Sequence, residues 1–345
     1  MGSISERAIP AGSLVVVSGA NGFIASHVVD QLLLAGYRVR GTVRNSQKSA
    51  WLIDYFGNKY GPGKFELIEV PEMAKDGAFD DAIKGASGFI HTATPVMVSY
   101  DPNEGIPIVV NGTLNALEAA ASEPSVKRFV LTSSSTAAIS PKPNVEFSAD
   151  ESTWNDEAVK AAWAPPPYEG EQRKLDVYSA SKTQGEQAAW KFMKEKKPGF
   201  VLNTVLPNCN MGLVLSPENQ GAPSTIGWLK ALWNEFKGQE KLAFNPPQYY
   251  VNVQDNARIH VGALICPDVQ GERLFAFANP FNWNDILAIY RKLYPEHKFM
   301  DDLPDLGRDL SKISNGRAEE IVKRFGRPGW TNLEDTIRDT TKDWS

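Results

Sequence analysis

The sequence predicts an α/β fold: a doubly wound parallel sheet with helices on both faces, and a smaller, mixed C-terminal lobe. Three observations carry this. Leu14-Val15-Val16-Val17 is a continuous apolar run, as in a strand buried on both faces, and it leads through Ser18-Gly19-Ala20-Asn21-Gly22 into a helical pattern. Short apolar runs then alternate with helical stretches as far as Pro207, the order of repeated strand–helix–strand units. Beyond Asn208 the alternation loosens, with Pro246-Pro247 and several amphipathic stretches in its place.

In chain order, Ile24, Val28, Leu32 and Leu33 recur at helical spacing, and Gly36 supplies a stop. Residues 37–44 form the second strand, 65–70 the third and 88–93 the fourth, with a short helix over 78–83. A helix over 106–121 contains Asn111. The fifth strand, 128–132, ends in Ser133-Ser134-Ser135-Thr136. Residues 137–176, with Pro141, Pro143 and Pro165-Pro166-Pro167, read as a long irregular insertion that forms part of a pocket wall. Tyr178 heads the next helix, which carries Ala180, Gln184, Ala188, Ala189, Trp190 and Phe192. Residues 201–206 form the sixth strand. Helices are expected over 228–236, 255–264, 283–293, 317–325 and 333–340, and a strand over 274–277.

The chain has 345 residues, 42% of them hydrophobic, enough for a large core. Net charge is −5, which argues against a nucleic-acid partner. Two cysteines, Cys209 and Cys266, and four histidines offer neither a disulfide framework nor a metal spacing. Residues 1–12 lack the pattern of a secretory leader, and no apolar run approaches the ~18 residues of a membrane span. These features predict a cytoplasmic protein with reduced thiols, no metal and no nucleic-acid or membrane partner; a monomer and a homodimer are both compatible with the sequence.

The turn at residues 19–25 has a specific physical reading. Gly19 can take backbone angles closed to other residues, Gly22 lets the backbone approach a ligand, and Ala25 lets the helix pack on its strand. The helix N-terminus then offers free N–H groups and a positive dipole end to a pyrophosphate. The spacing is GxxGxxA rather than GxGxxG, but its place between strand and helix points to a dinucleotide, with Asn21, Phe23 and Ile24 beside it. A site for NAD usually carries an acid at the end of the second strand. This strand ends Gly41-Thr42-Val43-Arg44, with Lys48 four residues on, so two cations stand ready for a 2′-phosphate and NADPH is expected.

Tyr178 and Lys182 lie four residues apart, on one face of a helix. An ammonium beside a phenol is expected to lower its pKa from about 10, making the pair a proton donor near neutral pH. The hydroxyl run at residues 133–136 sits where ligands bind open sheets, so it is a candidate set of carbonyl-orienting donors.

Together these residues resemble the extended short-chain dehydrogenase/reductase superfamily. The dihydroflavonol reductase-like branch is nearest, and within it the fungal and yeast aldehyde or carbonyl reductases. The resemblance rests on the runs Ser18–Leu33, Val43-Arg44-Asn45, Val110–Ala120, Val126–Ser135, Tyr178–Met193 and Arg327-Pro328-Gly329-Trp330, and it spans nearly the whole chain. It implies a Rossmann-type fold, with residues 1–207, joined again by 248–270, as the dinucleotide-binding domain. Residues 208–247 and 271–345 then form a substrate-binding lobe. It implies Ser134, Tyr178 and Lys182 as catalytic residues, with Asn111 holding a water that leads to Lys182. It implies Arg44 and Lys48 as cations selecting NADPH, and Thr94, after Ala93, against the ribose. Thr132 and the segment Pro207-Asn208 are expected beside the cofactor as well. The third strand departs from the family pattern, since Val70-Pro71-Glu72-Met73 offers Glu72 where the family commonly has Asp beside the adenine.

The implied reaction is NADPH-dependent reduction of ketones and aldehydes, including aromatic or bulky carbonyl compounds and keto esters, with Tyr178 as proton donor. Substrate contacts are expected from Ser134, Tyr178, Val96, Met97, Trp228 and Tyr249, and further apolar walls from Phe147, Trp163, Met211 and Tyr250. A flavonoid-type reductase shares these features. A nucleotide-sugar epimerase or dehydratase shares the turn and the Tyr/Lys pair, but it needs cations for a diphosphate, and residues 208–250 contain no arginine. A non-catalytic NADP sensor has no need of the Ser/Tyr/Lys set.

Overall fold

The computed structural model describes residue 4 and residues 6–95, 99–234 and 245–344. The strands are β1 (Leu14–Ser18), β2 (Arg38–Val43), β3 (Phe65–Glu69), β4 (Gly88–His91), β5 (Arg128–Thr132), β6 (Ser148–Ala149), β7 (Val201–Pro207), β8 (Cys209–Met211), β9 (Gln248–Asn252), β10 (Arg273–Ala276), β11 (Asn279–Phe281) and β12 (Lys312–Ile313). Among the described residues the helices of the first part are α1 (Phe23–Leu34), α2 (Trp51–Tyr60), α3 (Asp80–Ile83), α4 (Pro102–Ser122), α5 (Asp156–Ala162) and α6 (Glu171–Lys196). The later ones are α7 (Pro217–Gln220), α8 (Ile226–Trp233), α9 (Val253–Ile265), α10 (Trp283–Leu293), α11 (Gly316–Arg324) and α12 (Leu333–Thr341).

A seven-stranded, all-parallel sheet in the order β10-β7-β5-β4-β1-β2-β3 is the frame of the molecule. Side chains alternate between its faces, as the pleat requires. Val15, Val17, Ile90, Val130 and Val205 pack with α1, α9 and α11 on one side. Val16, Phe89, Phe129 and Leu131 pack with α3, α4 and α6 on the other. Burial of a Val or Phe contributes about 1.5–3 kcal/mol, so strands covered on both faces need no help from an alternating pattern.

Strand register brings the chemistry to one edge. Ser18 pairs with Thr42, His91 with Leu131, Thr132 with Val205, and Ala276 with Pro207. The carboxyl ends of six strands therefore share a rim. The order of the strands reverses between β1 and β4, and crevices at such points take ligands.

A second core closes the far side of that rim. Met211, Leu229, Trp233, Tyr250, Trp283, Tyr290 and Ile337 pack around the three-stranded sheet β11-β9-β8.

The structure differs from the sequence reading in four places. Residues 273–276, expected in the substrate lobe, supply the edge strand of the large sheet, and 248–252 a strand of the small one, while 253–265 of the rejoining segment packs on the large sheet. Residues 137–176 are not irregular: they hold β6, which pairs with β12, and α5, whose N-terminus is capped by Asn155 accepting from Ala158 N at 3.1 Å. Helix α6 starts at Glu171, so Tyr178 stands in its second turn rather than at its head. Helix α2 was not anticipated, although Leu52 and Phe56 stand four residues apart on its buried side.

Candidate active site

The glycine turn is built as a cradle. Gly19 has φ +65°, and a Cβ there would come 3.2 Å from Ala93 Cα. Gly22 is the N-cap of α1, with extended backbone and no side-chain cap, so the first N–H groups of the helix stay free. Ser18 ties the turn to the end of β4: its Oγ accepts from Thr92 N at 2.8 Å and Ala93 N at 2.9 Å. The Ser18 proton is then left for His91 Nδ1, 3.0 Å away. Burial, with Lys182 nearby, pushes the His91 pKa down to about 3, so the ring is neutral.

A cleft of 1020 Å³ runs along the strand tips. At one end it is lined by Thr42, Val43, Arg44 and Val70–Ala74, so Glu72 and Met73 are both on its wall. Arg44 is exposed and, among the described residues, makes no ion pair. Lys48 is also exposed but lies outside the lining; its backbone N donates to Asn45 Oδ1 at 2.8 Å. The nearest carboxylate on β3, Glu69, faces away from this role, accepting from Ser46 N at 2.9 Å and Ser46 Oγ at 2.8 Å. Free helix N–H groups, an uncapped glycine turn and an uncommitted arginine together fit a phosphorylated dinucleotide.

Ser134, Tyr178 and Lys182 all line the middle of the same cleft, with Ala93, Thr94, Thr132, Pro207 and Asn208 around them. Ser134 Oγ accepts from Thr136 N at 3.2 Å and from Thr136 Oγ1 at 3.0 Å, and Ser134 and Tyr178 both line the cleft. Lys182 is buried, and its Nζ donates to the Thr132 carbonyl at 2.8 Å and to Thr94 Oγ1 at 3.1 Å.

The expected effect of the lysine on the phenol is corrected here. Burial raises the Tyr178 pKa, and the Ser134 hydrogen bond offsets this only in part. Burial also lowers Lys182 to about 8, against the opposing pull of Glu186. Tyr178 is therefore a protonated phenol across the neutral range, and the lysine's partners are strand tips rather than the tyrosine. Behind Thr132, His260 fixes the geometry: Nδ1 donates to Asn256 O at 2.8 Å, so Nε2 accepts from Thr132 Oγ1 at 2.8 Å.

Other expected residues fall elsewhere. Asn111 is exposed on α4 and outside the cleft, while the buried Asn115 one turn on donates to Met73 O at 3.0 Å and Lys75 O at 2.9 Å. Tyr249 is buried against Phe277, with its hydroxyl on Ser311 O at 2.8 Å, because its side of β9 faces the core and Gln248 faces the cleft. Trp228 does line the cleft. Phe147, Met211 and Tyr250 pack into cores, and Trp163 is exposed. Val96 and Met97 lie outside the described residues. The sequence reading missed Gln172, Leu175 and Asp176 at the start of α6, and Ser224, Thr225 and Asn245 across the cleft. No apolar period marks these segments; only the spacing of Leu175 from Ser179 and Lys182 on one helical face could have found the first group.

This arrangement, a glycine turn, a parallel sheet and a Ser/Tyr/Lys set at the strand tips, defines a class of nucleotide-dependent enzymes. The chain belongs to the NAD dependent epimerase/dehydratase family, whose model matches residues 15–211. It is 49% identical to aldehyde reductase 2 of Sporidiobolus salmonicolor, over 98% of each chain. It is 39% identical to the ketoreductase adrE of Penicillium rubens, again over 98% of each. Among solved structures, Gre2 of Candida albicans in complex with NADPH superposes with a TM-score of 0.81 at 26% identity, covering 96% of this chain and 98% of that one.

Proposed function

We propose that the protein is a carbonyl reductase that uses NADPH to convert ketones and aldehydes to alcohols. The observation that carries this is Ser134, Tyr178 and Lys182, gathered on the wall of one cleft whose far end presents free helix N–H groups and Arg44. The relatives named as aldehyde reductase and ketoreductase, and the NADPH complex of the structural neighbour, support it.

The chain's own residues then act as follows. The turn from Gly19 to Ile24 holds the pyrophosphate, Arg44 the 2′-phosphate, and Glu72 and Met73 the adenine end. The bound nicotinamide supplies the hydride. Tyr178, protonated because burial raises its pKa, hydrogen-bonds the carbonyl oxygen and gives up its proton as charge develops there. Ser134 donates to the same oxygen and, after proton transfer, to the phenolate. An ammonium has three donors. Lys182 spends two on Thr132 O and Thr94 Oγ1, which leaves one for the ribose. Trp228 and the α6 residues Gln172 and Leu175 enclose the substrate end.

The test is oxidation of NADPH, followed at 340 nm, against an aromatic ketone, a β-keto ester, an aliphatic aldehyde and a dihydroflavonol, with NADH as the paired control. Turnover of the simple carbonyl compounds is expected. Turnover of the dihydroflavonol alone moves the assignment to a flavonoid-type reductase, and silence with cofactor bound overturns it.

A further inference from the structure

Glu186 is fully buried where α6 meets β5 and β7, behind the cleft wall. A carboxylate in such a place costs several kcal/mol unless its oxygens are matched by donors. Here they are. Oε2 accepts from Ser133 Oγ at 2.6 Å, and Oε1 from Thr204 Oγ1 and from Arg273 Nε, each at 2.7 Å. Arg273 is anchored in turn: it lies 3.8 Å over the Trp154 ring and donates to Glu151 O at 2.8 Å and Thr153 O at 2.7 Å.

A buried ion pair is by itself weak evidence for stability, since apolar residues often replace one without loss. What distinguishes this one is what it holds. Ser133 stands between Thr132, whose carbonyl binds Lys182, and Ser134, which lines the cleft with Tyr178. Glu186 itself is one helical turn beyond Lys182, on the same face of α6.

We propose that Glu186, backed by Arg273, is a positioning residue: by gripping Ser133 from α6 it fixes the end of β5, so that the Thr132 carbonyl and the Ser134 hydroxyl meet Lys182 and Tyr178 together. This rests on the reductase reading above. A second consequence follows from charge. The titratable groups that interact with Lys182 are Glu186 from its own helix, His91 from β4 and His260 from α9. Both histidines are neutral, held down to about 3 and about 4 by burial. Glu186 is thus the neighbour that favours the ammonium, so losing it disfavours the ammonium.

The experiment compares the full-length protein with Glu186→Gln, Glu186→Asp and Ser133→Ala. It reads kcat and kcat/KM from pH 6 to 10 on a carbonyl compound the wild type reduces, NADPH dissociation by fluorescence, and the melting temperature. Glu186→Gln is expected to lower kcat by about tenfold or more and to move the basic limb of kcat/KM to lower pH, with NADPH affinity within about threefold. Ser133→Ala is expected to lower kcat without moving the limb. Glu186→Asp keeps the charge but falls short of Ser133, so it restores the limb and not kcat. Variants that melt earlier yet keep wild-type kcat and the wild-type limb overturn the proposal and leave Glu186 a structural ion pair. If Glu186→Gln does not fold, the other two decide on the same readings. A wild type that reduces no carbonyl compound refutes the reductase reading instead.

Discussion

Lys182 turns its ammonium to the carbonyl oxygen of Thr132, 2.8 Å away at the tip of β5, and not to the phenol of Tyr178 one turn earlier in its own helix. Its pKa, lowered by burial to about 8, sets a pH dependence of known sign. The ammonium is present below about pH 8 and lost above it. Tyr178, raised from the usual 10, loses its proton later. Reductase kcat/KM, which reports the free enzyme, is therefore expected to be level through pH 7 and to fall above pH about 8. Lys182→Met should lack this limb and show residual activity only. A wild-type profile that stays flat to pH 10 refutes the assignment.

Tyr178→Phe removes one oxygen and leaves a half-buried ring. General-acid action is worth about 10²–10⁴ in rate, so kcat should fall by that factor. NADPH affinity should hold, because Lys182 is fastened to Thr94 and Thr132 independently of the phenol. Stopped-flow hydride transfer and a fluorescence titration separate the two quantities. Near-normal turnover in the Phe variant rules out Tyr178 as the proton donor.

The legible parts of the sequence were those where a backbone constraint or an apolar period leaves a mark. Gly19 and Gly22 could be assigned because a left-handed φ and a bare helix N-cap restrict residue choice. The strands of the large sheet were visible as apolar runs because both faces are covered. The first turns of α6 were hidden, since Glu171 to Asp176 are polar except for Leu175, and a helix wall facing a wet cleft has no apolar stripe to show. Tyr249 and Asn111 failed for another reason. Which side of β9 or α4 faces the cleft is decided by packing against Phe277 and α6, not by the residue's own chemistry. The direction of the Tyr178 shift was missed because burial outweighs a lysine whose Nζ is committed elsewhere.

Arg44 and Lys48 make different predictions although both are exposed cations at the end of β2. Arg44 lines the cleft and Lys48 does not. A hydrogen bond to a charged group is worth about 1.5–3 kcal/mol, and exposure favours the low end, so Arg44→Ala should weaken NADPH by about tenfold and leave NADH nearly unchanged. Lys48→Ala should shift the NADPH/NADH ratio by less than about threefold. Dissociation constants for both cofactors at one ionic strength decide it. Equal loss of both cofactors in Arg44→Ala counts against a 2′-phosphate contact.

Gly262 tests the fold apart from the site. It lies in α9 where that helix crosses α11, and a Cβ there would stand 2.2 Å from Ile321 Cγ2. Ile321 is fully buried and β-branched, so its side chain is stiff at χ1 and yields little to an added methyl. Alanine should gain about 0.5–1 kcal/mol of helix preference over glycine, but overpacking of this kind costs about 1–3 kcal/mol. The net expectation for Gly262→Ala is a loss of stability, read as an earlier midpoint in urea at unchanged slope. Gly227→Ala, in α8 with its nearest contact at 3.5 Å, is the control and should gain or hold stability. Because α11 packs on the side of the sheet away from Tyr178 and Ser134, kcat of the folded Gly262→Ala protein should match wild type. A midpoint at or above wild type would show that α11 yields to the added methyl, and that the α9–α11 contact is looser than its 2.2 Å clash implies.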